Sequence, residues 1–321
     1  MEAEFMRKRP KTPKTKTQKR ELIKRNIPLL MMATPAVILM IMFNYIPMFG
    51  TVLAFKNYSV RKGIWGSDWA GEFGLDNFKY IFRSGEIAVT IRNTILYHLA
   101  FTITVMASGI LLGILLYWVK SKRLARFYQE TIQLPYLTSF AVMGCVVYIL
   151  LKADGGLLNT FIEQTGGNAI AWYTEPKYWP LIIILVNLWF GAGIKSIYFY
   201  SAFLSIDKSL FEAGDMDGAR WYHKIFNIML PSIAPTICIL LITDLGQIMS
   251  ANFSLFYSLT MDSSSLYSVT DVISTYEYRG LTMGNFGTTA ALGLFTSIVT
   301  VICTLSINKV VKKINPDNAL I

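Results

Sequence analysis

Long apolar runs alternate with short polar ones along this 321-residue chain. A helix that crosses a bilayer needs about 20 mostly apolar residues. Six stretches meet that requirement: 28–54, 90–119, 131–152, 179–204, 232–255 and 287–308. The pattern predicts an all-α integral membrane protein with about six transmembrane helices. It has a basic tail at 1–27, a membrane domain at 28–315 and a C-terminal tail at 316–321. No internal repeat is visible beyond the alternation itself.

Composition points the same way. Hydrophobic residues make up 53% and charged residues 16%, with a mean hydropathy of +0.44; soluble domains carry about 25% charged residues. The net charge of +10 does not read as a nucleic-acid footprint, because ten Lys and Arg crowd into the tail before the first apolar run. Arg7 to Arg25 reads as a disordered basic tail. The apolar run after it is too long for a signal-peptide core and ends in no small-residue cleavage pattern, so it is expected to stay as the first span. Cys145, Cys238 and Cys303 show neither redox nor metal-ligand spacing and are expected as core or lipid-facing residues.

Charge also assigns sides. The basic tail, the connection bearing Lys120, Lys122, Arg123 and Arg126, and the C-terminal Lys309, Lys312 and Lys313 fall on one side of a six-span topology. The opposite loop, 55–89, mixes Lys56, Arg61, Lys62, Lys79 and Arg83 with Asp68, Glu72, Asp76 and Glu86. The positive-inside rule therefore places both termini, and the polar loop 205–231, in the cytoplasm. Aromatic residues of the external loops, Trp65, Trp69, Trp172, Tyr173, Tyr178 and Trp179 among them, are expected in an interfacial belt. A docking surface is the alternative.

Loop 205–231 contains two helix signals. Ser205 and Asp207 offer N-caps for a helix starting near Lys208, and Gly218 can end it. A second helix over 219–230 would put Trp221, Ile225 and Ile228 on one stripe before Pro231 stops it. The expectation is a helical hairpin with an apolar face and an acidic corner at Glu212, Asp215 and Asp217. Small residues at Ala213, Gly214, Gly218 and Ala219 permit close packing against a groove. Glu212 offers an acceptor for a cation across an interface.

The loop also carries a spaced pattern: Glu212-Ala213-Gly214, three residues, Gly218, nine residues, then Ile228-Met229-Leu230-Pro231. It resembles the EAA loop through which ABC importer permeases touch their ATPase. Gly214 stands where Ala is usual, and Ile225 where Phe is common, with Phe226 beside it. Further segments resemble the oligosaccharide/polysaccharide permeases of the maltose-type carbohydrate uptake family, over nearly all of residues 28–315. They are Pro35-Ala36-Val37, Phe43-Asn44-Tyr45-Ile46-Pro47-Met48, Ala54-Phe55-Lys56-Asn57-Tyr58, Gly63-Ile64, Asn77-Phe78, Arg92-Asn93-Thr94 and Gln133-Leu134-Pro135-Tyr136.

The resemblance implies a type I ABC importer permease fold in the plasma membrane of a prokaryote. It assigns ATPase coupling to Glu212, Ala213, Gly214, Asp217, Gly218, Ala219, Ile228, Leu230 and Pro231. The implied partners are a second, non-identical permease, two ATPase subunits that carry ATP and Mg, an extracellular solute-binding protein and an oligosaccharide. The chain has no Walker A pattern, so it is expected to bind no cofactor itself and to be non-catalytic, with ATP hydrolysis on a partner.

Polar side chains at bilayer depth are costly and mark candidate sites. Amides and a carboxylate beside aromatic rings suit a saccharide. In the family resembled, the path runs between the later spans. The substrate-path candidates are therefore Asn187, Trp189, Asp244, Gln247 and Asn252, with Tyr198 and Tyr257 behind them. Lys195 and Asp244 fall at similar depths and can neutralise one another, and His98 reads as an interhelical hydrogen-bonding group. Two other classes compete. Asp215-Met216-Asp217 is a D-x-D of the kind that holds a metal in some membrane enzymes, but it lies in a loop too short for a catalytic domain. No metal site is expected. An ATP-independent channel or secondary transporter accounts for the spans and not for the loop. Within the importer class, another sugar-like solute stays open.

Overall fold

A computed structural model describes residues 16–314, which are largely helical. The chain forms two compact units divided between Val52 and Leu53. In the first unit, α1 (Lys16–Met40) begins inside the stretch expected to be disordered, so Lys16 to Arg25 is helical instead. The remainder of that tail and the C-terminal tail lie outside the described residues. Beyond α1 the helix widens into a π turn at Ile41–Tyr45, where the Ile46 N–H bonds the Ile41 carbonyl. Pro47 follows two residues later. Its ring presses on the carbonyl four residues back and it has no N–H to donate, and a wider turn relieves both.

The second unit opens with a two-residue antiparallel pair, β1 (Lys56–Asn57) and β2 (Asp68–Trp69). Helices α2 (Asp76–Arg83), α3 (Gly85–Trp118), α4 (Lys122–Leu137), α5 (Phe140–Leu151), α6 (Leu157–Gln164) and α7 (Trp179–Leu204) follow. Then come α8 (Lys208–Met216), α9 (Trp221–Lys224), α10 (Ala234–Leu245), α11 (Phe253–Thr260), α12 (Tyr267–Thr270), α13 (Ile273–Thr282) and α14 (Phe286–Ile314). Four helical segments are long and apolar enough to cross a membrane: 26–55, 85–118, 176–204 and 286–309. Two bent pairs bring the total to six if each is one span.

Those pairs correct two of the expected spans. The run 131–152 is not one helix: α4 and α5 meet at 89°. Ser139 starts α5 afresh, its hydroxyl accepting from the Val142 N–H at 3.3 Å. The run 232–255 is interrupted twice. The segment Trp221–Ser232 bends by 59° into α10, and α10 then gives way to non-helical backbone from Gly246 to Asn252. Asn252 restarts the helix by accepting from the Leu255 N–H at 3.2 Å.

Small residues let the helices approach closely, as lipid-embedded packing favours. A Cβ on Gly109 of α3 would lie 2.8 Å from the Lys195 Cβ of α7, and one on Gly191 would lie 3.1 Å from Val105. A Cβ on Gly193 would sit 2.2 Å from the Ile132 carbonyl oxygen of α4. The external aromatic residues divide between two environments. Trp65 and Trp69 are exposed, whereas Trp179 is fully buried and donates to the Trp172 carbonyl at 2.7 Å. Tyr173 donates to the Leu259 carbonyl at 3.2 Å. These latter rings belong to the core and not to a belt.

Several motif residues are clamps. Arg92 and Asn93 donate to the Ser268 and Asp271 carbonyls, both at 3.0 Å, and Thr94 accepts from the Ile273 N–H at 3.0 Å. Together they pin the α12–α13 junction to α3. Asn77 bonds the Ala54 and Lys56 carbonyls at 3.0 and 3.2 Å. The break after α10 is pinned as well. Lys195 donates to both carboxylate oxygens of Asp244 at 2.7 and 3.0 Å. His98 Nε2 lies 2.7 Å from the Asp244 carbonyl oxygen, and Thr304 donates to the Gly246 carbonyl at 3.1 Å.

Two stability outcomes follow from this packing. Gly193→Ala forces a methyl group onto a backbone carbonyl and is expected to cost about 1–3 kcal/mol. Gly85→Ala, with nothing within 4 Å of the added Cβ, should leave the thermal midpoint of the purified protein unchanged. Equal midpoints for the two variants would contradict the close approach. Asp244→Asn leaves the Lys195 ammonium unpaired in a largely buried site and should cost about 3–5 kcal/mol. The double variant Lys195→Met/Asp244→Leu should recover most of that loss in the same melting measurement. Strictly additive losses would contradict the pairing.

Candidate functional site

The loop 205–231 folds as a hairpin of two helical arms. Asp207 caps the first arm, its Oδ1 accepting from the Ser209 N–H at 2.9 Å. That bond holds the Asp207 carboxyl below its ordinary range. Ser205 is not a cap: its hydroxyl donates back to the Ala202 carbonyl at 2.7 Å, at the end of α7. The arm closes in a Schellman turn. Gly218 adopts φ of 71°. The Ala219 N–H bonds the Gly214 carbonyl at 2.8 Å and the Gly218 N–H bonds the Asp215 carbonyl at 3.1 Å.

The small residues serve the hairpin itself. A Cβ on Gly214 would lie 3.2 Å from Ile228 Cδ1 on the other arm, so this glycine permits arm-to-arm packing. Gly218 has open space around it and is needed for its positive φ, not for a close approach. Lys224 pairs with Asp215 across the arms. Of the acidic corner, Glu212, Asp215 and Asp217 are all exposed, as are Ala213 and Gly218 beside them.

The second arm departs from the expected stripe. A π turn at Ile225–Met229 adds a residue to the turn, with the Leu230 N–H bonded to the Ile225 carbonyl. The inward residues become Ile225, Met229 and Ile233, which cluster with Met106 and Ile114 of α3 and Phe199 and Phe203 of α7. Each such side chain contributes about 1.5–3 kcal/mol when buried. Ile228 turns toward Gly214, and Trp221 is 63% exposed, meeting Trp118 edge-on with ring centroids 5.9 Å apart. Pro231 does not stop the arm. Helix continues over Leu230–Ser232, and the bend comes at Ile233. The π turn stands two residues before Pro231, as the first stands before Pro47.

Two cavities flank the break between α10 and α11. One, of about 260 Å³, brings together His98, Asn187, Lys195, Asp244 and Asn252. The side-chain oxygen of Asn252 is already engaged as the α11 cap. Trp189, Gln247, Tyr198 and Tyr257 do not line this cavity. Two residues along a helix turn through about 200°, which carries Trp189 away from the face of Asn187. Tyr198 shares that face but sits about three turns further on. Gln247 is exposed, and Tyr257 packs with Phe253 and Tyr278 at centroid distances of 5.0 and 5.2 Å.

The second cavity, of about 430 Å³, shares Ser250 and Ala251 with the first. Ser274 and Glu277 of α13 and Thr296, Ser297 and Thr300 of α14 line it. Burial pushes the Glu277 carboxyl up to about 7. Sequence reading assigned α13 to an external loop and so missed it. The available signal was a polar pair at i and i+3 facing threonines four apart on the last span. A third cavity, of about 820 Å³, lies between the start of α3 and α12–α14. It carries Arg279, paired with Asp271 at 2.5 Å and Asp262 at 3.2 Å and set 3.9 Å over the Tyr267 ring. Among the described residues, no group of three or more His, Cys, Asp or Glu could hold a metal ion.

Comparison with known proteins places these features in a lineage. Residues 109–316 match the family described as "Binding-protein-dependent transport system inner membrane component". The chain is 31% identical over 290 residues to the polygalacturonan/rhamnogalacturonan transport system permease protein YteP of Bacillus subtilis (strain 168), covering 90% of this chain and 89% of that one. It is 29% identical over 296 residues to protein LplB of the same organism, covering 92% of each. A chain of a bacterial ABC transporter involved in import of the acidic polysaccharide alginate superposes with a TM-score of 0.82 at 30% identity. The match covers 92% of this chain and 99% of that one. A second crystal structure, of the alginate transporter with its pentasaccharide-bound periplasmic protein, gives a TM-score of 0.81. The chain is a multi-pass membrane protein and belongs to the family of inner membrane components of binding-protein-dependent transport systems.

Proposed function

We propose that this chain is one permease subunit of an ABC importer for oligosaccharides, coupled through the 205–231 hairpin to ATPase subunits. The observation that carries the reading is the hairpin's construction. It is closed by a Schellman turn at Gly218 and driven into α3 and α7 by Ile225, Met229 and Ile233, and it leaves Glu212 and Asp217 exposed. Such a piece is rigid, is anchored at both ends and offers charge outward, as an element that passes force between subunits must be. The hairpin faces the cytoplasm, on the side that the basic segments mark. ATP and Mg belong to two partner ATPases, and this subunit is non-catalytic.

A second, non-identical permease supplies the other half of the path, and an extracellular binding protein delivers the cargo. An oligosaccharide cargo rests on the relatives named above, whose descriptions refer to polygalacturonan, rhamnogalacturonan and alginate. The polar cavity at Asn187, Asp244 and Asn252, beside non-helical backbone, is the part of the path this chain supplies. Irregular backbone at membrane depth is tolerated where it lines a cavity. Trp189, Gln247, Tyr198 and Tyr257 lie outside that part.

Two experiments test the reading. Glu212→Lys and Gly218→Val are each expected to cut co-purification of the ATPase subunits at least tenfold while membrane insertion persists. Gly218→Asn, which tolerates the left-handed conformation, should retain most of it. Undiminished association in the Lys and Val variants would remove the coupling role. In proteoliposomes holding this chain, its partner permease and the ATPases, ATP hydrolysis should rise when the saccharide-loaded binding protein is added. Saccharide uptake that proceeds equally well without ATP would overturn the importer reading.

A further inference from the structure

Glu277 and Ser274 stand out among the polar groups that line the cavities. The Ser274 hydroxyl is fully enclosed and makes no hydrogen bond. Glu277 lies one helical turn further along α13 and lines the same 430 Å³ cavity. Gly293 of α14 makes room for its carboxylate, since a Cβ there would lie 3.3 Å from Oε1. Across the cavity, Thr296 and Ser297 donate to the Gly293 carbonyl at 3.0 and 2.7 Å. Their hydroxyl oxygens thus keep lone pairs for an incoming donor. No Lys, Arg or His lines the cavity among the described residues. Lys195 and Arg279, the cations of α7 and α13, are already paired with carboxylates.

Among the described residues the enclosed Ser274 hydroxyl is the one buried side-chain polar atom without a partner. Such a group is costly and calls for a ligand that completes it, and Glu277 stands half-buried beside it. The cavity adjoins the Asn187–Asp244 cavity, with Ser250 and Ala251 as a common wall. Its volume lies within the range of small-molecule sites. Its lining sets hydroxyls and one carboxyl among the apolar Met249, Ile273 and Val301 and offers no positive charge. Vicinal sugar hydroxyls, each both donor and acceptor, match such a lining. A uronate carboxylate beside Glu277 would push that carboxyl, already raised to about 7 by burial, up further, and no cation in the lining offsets the cost.

We propose that Ser274 and Glu277 form a subsite on the transport path that takes an uncharged saccharide unit and discriminates against uronate units. The proposal rests on the permease reading above and narrows its cargo: the subsite is built for neutral sugars and not for the acidic polysaccharides of the relatives. Ser274 donates to and accepts from one hydroxyl, while the Glu277 carboxyl bonds a neighbouring pair. Glu277→Gln keeps the shape and removes the ionisable carboxyl.

The test uses the full chain in lipid nanodiscs and saturation-transfer NMR with two matched probes, galactotriose and trigalacturonate. The wild type should show transfer to galactotriose and at least fivefold less to trigalacturonate. Ser274→Ala should lower the galactotriose signal severalfold. Glu277→Gln should shift the ratio toward trigalacturonate at least fivefold, with an unchanged elution profile and melting midpoint. Equal signals for the two probes in the wild type, no galactotriose signal at all, or a ratio untouched by Glu277→Gln would each overturn the subsite. ATP-driven uptake by the complete transporter, measured in parallel, separates this failure from failure of the permease reading. Saccharide uptake that persists without the subsite's signature sinks only the subsite, whereas uptake indifferent to ATP sinks the permease reading.

Discussion

Backbone that leaves a helix inside an apolar bundle must find hydrogen-bond partners within the protein, because lipid supplies none. The stretch Gly246–Asn252 is where this chain meets that constraint, and much of its polar chemistry is gathered there. Lys195 reaches from α7 to the last turn of α10 and holds the Asp244 carboxylate, while His98 from α3 engages the same residue's carbonyl. Thr304 from α14 holds Gly246. Three helices thus fix the end of one. Gly109 allows it, since any side chain there would displace Lys195. The cavities on either side of the break follow from the same geometry: where the helix stops, its side chains stop filling space.

Proline imposes a related constraint at the other end of α10. Pro231 cannot donate to the helix behind it, and the π turn at Ile225–Met229 absorbs the misfit by one extra residue. That extra residue selects which side chains point inward, turning Ile225, Met229 and Ile233 onto α3 and α7. The feature that distorts the arm also anchors it. The hairpin's outward charges then stand on a rigid base, and the Lys224–Asp215 pair closes the arms against each other.

Much of this was legible in the sequence and some was not, for identifiable reasons. Hydropathy located the continuous spans α3, α7 and α14 within a few residues, because it reports length and apolarity directly. It ran through the breaks at Thr138–Ser139 and Gly246–Asn252, because a serine or asparagine cap inside an apolar run barely lowers its mean hydropathy. The Lys195–Asp244 pair was accessible from depth alone. Periodicity separated Asn187 from Trp189 in principle, yet polarity at bilayer depth does not say which face of a helix meets a cavity. The stripe Trp221, Ile225, Ile228 assumed 3.6 residues per turn, and a π turn breaks that assumption locally. Arg92-Asn93-Thr94 carried a family likeness without a reason; its partners are backbone groups 175 or more residues away, which no local pattern encodes.

The two ends of α10 acquire a common meaning from these constraints. One end bends at Ile233, where the hairpin meets the bundle; the other ends at Asp244–Gly246, where the cavities begin. Twelve helical residues separate them, a rod of about 18 Å at 1.5 Å per residue. The segment beyond it is held by turns, with the Gln247 N–H bonded to the Asp244 carbonyl at 3.0 Å and the Ser250 N–H to the Gln247 carbonyl at 2.8 Å. The rod thus connects the base of the hairpin to the segment whose Ser250 and Ala251 form the shared wall of both cavities. The Lys195–Asp244 pair ties that end of α10 to α7, the helix that also carries Asn187 and leads into the hairpin, so one ion pair joins the helix behind the hairpin to the wall of the cavity.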